Sequence, residues 1–245
     1  LSRLLLIIIP LLLLVGMIAL SRATEDWRYV VEAAPDEVMY AAGFDGFLDE
    51  WSLYDDGQLA AAVEDGVLRL SSNAPFASPY TVASPVLGDF DLRVKATAVE
   101  GPLNNGFGVM FHVQDRDNND QFLISSDGYY RVVRFAGGEE RELSTWIPSD
   151  VVRQGIGETN ELRVVRKDNT LSFYVNGEPV ELCLPNDPGA LSTYTFSDGC
   201  FEGEMRTTLV DDSLRDGRIG VVIQTFDEPG VVVEFDDLVV VGPEA

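Results

Sequence analysis

The sequence predicts an all-β fold, an antiparallel β-sandwich (jelly roll) preceded by an N-terminal apolar helix. Three observations carry that prediction. Beyond residue 44, apolar residues alternate with polar ones, the period of a strand with one buried face. Turn dipeptides fall between these runs, and 22 glycines and 12 prolines suit a chain of many turns. Long helical patterns do not separate the runs, so the sheets should be antiparallel rather than wound through βαβ crossovers.

Residues 1–23 are read as an apolar membrane, assembly or signal-like segment. Leu4 to Leu20 form an uncharged run of 17 residues containing Pro10 and Gly16. At about 1.5 Å per residue it is short for a bilayer span but within the usual range. Arg3 precedes the run, which favours an inside N-terminus and an outside remainder. Two readings stay open. Ser21-Arg22-Ala23 offers the small residues of a signal-peptidase site. The preferred expectation is a segment retained in a membrane or among partner helices, since burying each Leu or Ile is favourable by about 1.5–3 kcal/mol.

Residues 24–43 read as a short helical stalk. Thr24 is placed to cap it, and Trp27, Val30, Val31 and Ala34 follow at helical spacing. Pro35 interrupts, and a further turn or two from Asp36 to Ala42 ends at Gly43.

Residues 44–241 form the sandwich. Phe90, Leu92, Val94, Ala96 and Ala98 make one alternating strand, and Phe107, Val109, Phe111 and Val113 another. Leu162 and Val164 follow, then Leu171, Phe173 and Val175, then Ile219, Val221 and Ile223, and last Val231, Val233 and Phe235. Asp127-Gly128, Lys167-Asp168-Asn169 and Asn176-Gly177 mark turns between strands. After Phe235 the apolar spacing jumps to three, at Leu238, which predicts a β-bulge at Asp236-Asp237. Residues 181–216 break the rhythm with Pro185, Pro188, Gly189 and Gly199 and read as a long insertion. Cys183 and Cys200 lie within it, 17 residues apart; a disulfide between them would close a loop worth about 3 kcal/mol in an oxidising compartment.

Composition narrows the function. Acidic residues outnumber basic ones 41 to 17, a net charge of −24, which excludes nucleic acid as a partner. A single histidine excludes a multi-histidine metal site, and two cysteines exclude a zinc module or an iron–sulfur cluster.

The body resembles the concanavalin A-like lectin/glucanase jelly rolls, and more closely the laminin-G-like and 3-keto-disaccharide hydrolase-type domains of bacterial exported proteins. The resemblance rests on Phe44-Asp45-Gly46-Phe47 with Trp51, Asp65-Gly66-Val67-Leu68, Gly88-Asp89-Phe90 and Asn105-Gly106-Phe107-Gly108. It continues through Asp115-Arg116-Asp117-Asn118, Asp127-Gly128-Tyr129-Tyr130, Asn160-Glu161-Leu162-Arg163-Val164, Tyr174-Val175-Asn176-Gly177, Gly217-Arg218-Ile219-Gly220 and Phe235-Asp236-Asp237. These pieces imply the fold more than a function, because the fold hosts lectins, glycosidases and interaction modules alike.

The polar residues offer three chemistries: catalysis, metal binding and ligand binding. Retaining glucanases of this superfamily carry paired carboxylates on one strand, about 5 Å apart. Glu234-Phe235-Asp236-Asp237 lacks the second glutamate, Glu139-Glu140-Arg141-Glu142 reads as a solvated loop, and His112 has no nucleophile signature beside it, so no catalytic residues are expected. Calcium is the candidate cofactor. Asp115, Asp117, Asn119 and Asp120 place oxygens as a calcium loop does, but equally as a polar hairpin turn, and Asp45 with Asp236 or Asp237 is a second candidate set. For ligand binding, alternation turns Met110, His112 and Gln114 outward, and likewise Arg163, Tyr174 and Gln224, with Trp146 in a flanking loop. Such a face offers aromatic rings and polar groups to a sugar. The function expected is a non-catalytic, membrane-anchored, extracytoplasmic domain binding carbohydrate or another cell-surface ligand. A structural subunit of a membrane complex or cell-surface filament, with the N-terminal helix in its core, is the alternative, and a glycoside hydrolase the third; a homo-oligomer or larger assembly is a further expected partnership.

Overall fold

The computed structural model describes residues 13, 14, 16, 17, 29–46, 50–187 and 189–244. The chain divides into two units, residues 1–30 and 31–245. In the first, Leu13, Leu14, Gly16 and Met17 have helical backbone. The rest of the expected apolar helix, and the cap and first turn at 24–28, lie outside the described residues. Among the described residues no helix is long and apolar enough to cross a membrane.

The second unit is an antiparallel sandwich. One sheet has the order β1 (Val30–Val31), β6 (Tyr80–Leu87), β20 (Gly217–Gln224), β8 (Gly106–Asp115), β9 (Asn118–Ser125), β10 (Tyr129–Ala136), β11 (Glu139–Pro148). The other runs β14 (Glu178–Pro179), β13 (Thr170–Val175), β12 (Thr159–Lys167), β7 (Phe90–Glu100), β21 (Val231–Val241), β5 (Val67–Ser72), β4 (Leu59–Glu64), β3 (Tyr54–Asp55). Two further strands, β2 (Val38–Ala42) and β19 (Thr208–Val210), pair with β21 and β13. The inward residues read from alternation meet between the sheets. Phe173 packs against Phe111 and Phe122, with ring centroids 6.1 and 5.1 Å apart. The hairpins turn where the sequence puts its Asx-Gly pairs: Asp65-Gly66 and Asn176-Gly177 take positive φ at both residues, the geometry of a type I′ turn. The bulge at the aspartate pair is present, with Asp237 at φ 49° and a register shift against β7 between Asp236 and Val239.

Three segments differ from the sequence reading. The described part of the expected helical stalk is not helical: Val30–Val31 is strand β1, beside β6, and in the stretch Asp36–Ala42 residues Val38–Ala42 are strand β2, paired with β21. Its alternation buries Tyr40 and Ala42, and the Trp51 indole donates to the Tyr40 hydroxyl at 2.8 Å, so tertiary partners override a weak helical signal. The stretches around Glu139–Glu142 and Trp146, read as loops, are one strand, β11. It stands at a sheet edge, where exposed charges discourage pairing with another chain. The third is the insertion. It folds into β15 (Leu182–Pro185) paired with β18 (Gly203–Arg206), and β16 (Thr193–Thr195) paired with β17 (Gly199–Phe201). The Cys183–Cys200 disulfide is formed. The insertion is structural as well as long: Leu182, Cys183 and Leu184 enter the core, Cys183 N–H donates to Ser144 Oγ at 3.0 Å on β11, and β19 extends the β13 edge. One segment thereby engages β11 of the first sheet and β13 of the second.

Candidate functional site

Pairing register defines the outer face of the first sheet. Met110 lies opposite Gln121 and Gly220, Gly108 opposite Leu123 and Val222, and Leu123 opposite Arg131. These residues point away from the main core and form a second, smaller cluster of Val82, Met110, Val113, Leu123 and Val222, with Tyr80 and Trp146 packed against it. Met110, Trp146 and Gln224 of the expected face are thus brought together. Glycines keep its floor low: a β-carbon at Gly108 would collide with the Phe122 carbonyl, and one at Gly106 would crowd Trp146.

The polar centre of this face is a hydrogen-bonded chain. Gln224 Nε2 donates to Gln121 Oε1 at 3.2 Å, and Gln121 Nε2 donates to Asn119 Oδ1 at 3.0 Å. Arg131 donates to Gln224 Oε1, to Glu140 at 2.9 Å and to Glu142 at 3.4 Å, and its guanidinium lies 4.9 Å from the Trp146 ring centroid. Arg131, Gln121 and Gln224 are each nine-tenths or more buried although they face outward. Two cavities flank the chain. One, about 460 Å³, is lined by Trp146, Tyr129, Phe226, Asn104, Ser125 and Asp127. The other, about 350 Å³, is lined by Tyr80, Met110, Gln121, Arg116 and Val222 among others.

The loop beside these cavities holds Phe76, whose ring is 76% exposed and whose backbone has φ 50°. A bulky residue there is a genuine conformational outlier. The Phe76 N–H donates to the Phe226 carbonyl at 2.7 Å, while Thr225 exchanges bonds with Ala77 and donates its hydroxyl to Ala74 at 2.9 Å. No sequence signal marks Phe76, because a lone aromatic in a Pro/Ser loop carries no periodicity. Gln121 and Arg131 do carry a sequence signal, as polar residues within apolar strands.

The remaining expected ligand residues lie elsewhere. His112 does not face outward. It has φ 51° and sits in a register shift between Phe111 and Asp115, so the extra residue turns the imidazole inward, beside Phe90 and Phe111, and sends Val113 to the outer face. A β-carbon on Gly217 would strike the His112 backbone, so glycine is what lets β20 pass the bulge. His112 Nδ1 lies 2.9 Å from Asp120 Oδ2, and its Nε2 is buried without a partner among the described residues. Gln114 is spent on the Asp216 carbonyl. Arg163 and Tyr174 do face outward, but on the other sheet, where Arg163 stacks on Tyr174 at 4.8 Å and binds Asp91 at 2.7 and 2.8 Å. Burial alone would raise the Asp91 carboxyl, and the bonds from Arg163 and Arg93 outweigh it and hold it below the ordinary range.

Neither calcium set converges. Asp115 Oδ1 accepts the Asp117 amide at 2.8 Å and the Asn118 side chain at 2.9 Å, a polar hairpin turn. Asn119 faces outward while Asp120 faces the core, where Arg134 donates to it at 2.6 and 2.8 Å. Asp237 pairs with Lys95 at 2.6 Å and Asp236 Oδ1 accepts the Asp237 amide, while Asp45 leans over Gly66. Among the described residues no three His, Cys, Asp or Glu side chains are grouped to hold a metal. Glu234, nearest the glucanase pattern, is bound by Arg69 at 2.6 Å.

No protein-family model and no curated protein sequence matches the chain. Solved structures do match in fold. A carbohydrate-binding module, CBM66 from Bacillus subtilis, aligns with TM-score 0.53 at 12% identity over 78% of this chain and 94% of that one. A Bacillus subtilis protein of unknown function with a galectin-like fold aligns with TM-score 0.56 at 12% identity, over 85% and 97%. The GH43 protein BlXynB from Bacillus licheniformis aligns with TM-score 0.54 at 13% identity, over 83% of this chain and 39% of that one. These matches show a shared β-sandwich fold, one that a carbohydrate-binding module and a GH43 protein both contain.

Proposed function

We propose that the protein binds carbohydrate on the outer face of the first sheet, as a non-catalytic domain displayed outside the cytoplasm on its apolar N-terminal segment. One observation carries the reading: a buried, hydrogen-bonded Gln121–Gln224–Arg131 chain lies on an outward face between two cavities, with Trp146 stacked on Arg131. Sugar recognition pairs fixed polar groups with aromatic surfaces, and this face supplies both. The binding-module neighbour supports the class of ligand, and the disulfide supports an oxidising compartment. A binding role is preferred to hydrolysis because Glu234 is tied to Arg69 and has no second glutamate at the glucanase spacing. A glycan array probed with the full-length chain and with Trp146→Ala tests this. Binding to a defined glycan, lost or weakened in the variant, supports it; an unaffected variant or no bound glycan overturns it.

One observation favours the second reading, a subunit docked to a partner. The insertion exposes Leu191, Phe196 and Phe201. Co-purification of the full-length chain in a defined particle, lost on Phe196→Ser, would establish that role.

A further inference from the structure

We propose that a third cavity on this face, beside Val113, receives the acidic group of a charged saccharide, a carboxylate or a sulfate ester, between Arg116 and Arg218. The inference rests on the carbohydrate reading of the same face and names its ligand class. The cavity measures about 360 Å³ and is lined by Ser52, Tyr54, Ser78, Tyr80, Arg116 and Arg218 among others. It adjoins the Met110 cavity, since Ser78, Tyr80 and Arg116 line both. A saccharide lying on the outer face can therefore place one substituent between the two guanidinium groups while its rings continue across Tyr80 and Met110.

The chain carries 41 acidic residues against 17 basic ones, and Arg131, Arg134, Arg163 and Arg166 each meet a carboxylate, whereas Arg141, Arg153 and Arg215 form no ion pair among the described residues. Arg116 and Arg218 form no ion pair among the described residues. Arg218 Nε is buried and lacks any hydrogen-bond partner there, as does Arg131 Nε. Arg218 lines the cavity, and charge-assisted bonds from its guanidinium to a bound oxyanion would offset part of that desolvation penalty. Asp115 also lines the cavity, but its carboxylate accepts bonds from its own hairpin at 2.8 and 2.9 Å. The planar guanidinium fork matches carboxylate and sulfate oxygens two at a time, and the hydroxyls of Ser52, Ser78 and Tyr80 are the polar groups available to the sugar itself.

The test is a titration of the full-length chain against three sets of oligosaccharides. The first carries uronates (galacturonate, mannuronate and hyaluronan fragments), the second sulfate esters (carrageenan fragments), and the third is neutral (cello- and manno-oligosaccharides and levan fragments). The tightest binder is expected in one of the two acidic sets, which also tells carboxylate from sulfate. Arg116→Gln and Arg218→Met should each weaken it roughly tenfold or more, the effect of removing a charge-assisted hydrogen bond. Arg218→Lys should retain part of that affinity, and binding of neutral probes should be unchanged in Arg218→Met and Arg218→Lys. Neutral probes that bind as tightly as acidic ones, or an acidic probe indifferent to both arginines, would overturn the acidic-group inference and leave the carbohydrate reading standing. Failure of every probe to bind would overturn both.

Discussion

The Arg131 guanidinium lies over the Trp146 ring at 4.9 Å from its centroid, and the same guanidinium donates to Gln224, Glu140 and Glu142. One side chain thus fixes the orientation of an aromatic ring and closes a polar chain across β20, β10 and β11. Arg131→Met should cost about 1–3 kcal/mol, the range for leaving buried polar partners unsatisfied. Urea unfolding followed by tryptophan fluorescence measures it, and a change below about 0.5 kcal/mol would show that the chain is not held together by Arg131.

On the core side of the same sheet, Arg134 joins Asp120 and Asp211, and Asp120 also meets His112. Burial would raise the Asp211 carboxyl, but hydrogen bonds from Arg134 and Ser213 outweigh it and bring its pKa down to about 2. A depressed carboxylate stabilises the fold fully above its ordinary pKa near 4, and that contribution disappears as pH falls toward 2. Asp211→Asn should therefore be less stable than the native chain at pH 6, by about 2 kcal/mol, with the difference shrinking between pH 4 and 2. A constant difference across that range would mean that the ion pair is not what stabilises Asp211.

These two networks show what the sequence could and could not reveal. Arg131 and Arg134 stand three apart in a strand, so alternation alone puts them on opposite faces, as found. Asp120 shares the alternation of Phe122 and Ile124, which puts it on the core face. Alternation fails at His112, because a bulge adds one residue and reverses every later assignment on β8, and nothing in Phe111-His112-Val113 announces it. It also cannot say which sheet a strand joins. Met110, Trp146 and Gln224 therefore meet on one face while Arg163 and Tyr174, equally outward, stand on the other sheet. The oxygen-rich Asp115 to Asp120 stretch misleads for the same geometric reason: Asn119 and Asp120, adjacent in a strand, point to opposite sides.

The disulfide closes a separation of 17 residues and holds an insertion that contributes Leu182, Cys183 and Leu184 to the core. Reduction without substitution should lower stability by about 3 kcal/mol, the loop entropy returned to the unfolded chain. Limited proteolysis of the reduced protein should cut first near the exposed Leu191 and Phe196. Equal protease resistance in the two redox states would show that strand pairing alone secures the insertion.

Phe76 separates stability from binding. Its ring is exposed and its backbone is in the left-handed region, so the folded state gains little from the side chain and carries strain of about 1–2 kcal/mol. The Thr225 hydroxyl and the Phe226 carbonyl hold the loop in that conformation. Asparagine tolerates the left-handed region far better than a bulky aromatic residue. Phe76→Asn should therefore leave stability unchanged or raise it by about 0.5–1 kcal/mol, read as the urea midpoint. If the ring stacks on a sugar at the rim of the Trp146 cavity, the same variant should weaken glycan binding severalfold. Strain kept at a site where its removal would stabilise the fold is what a binding role would explain. Lower stability would refute the strain argument, and a more stable variant with undiminished affinity would remove Phe76 from the binding face.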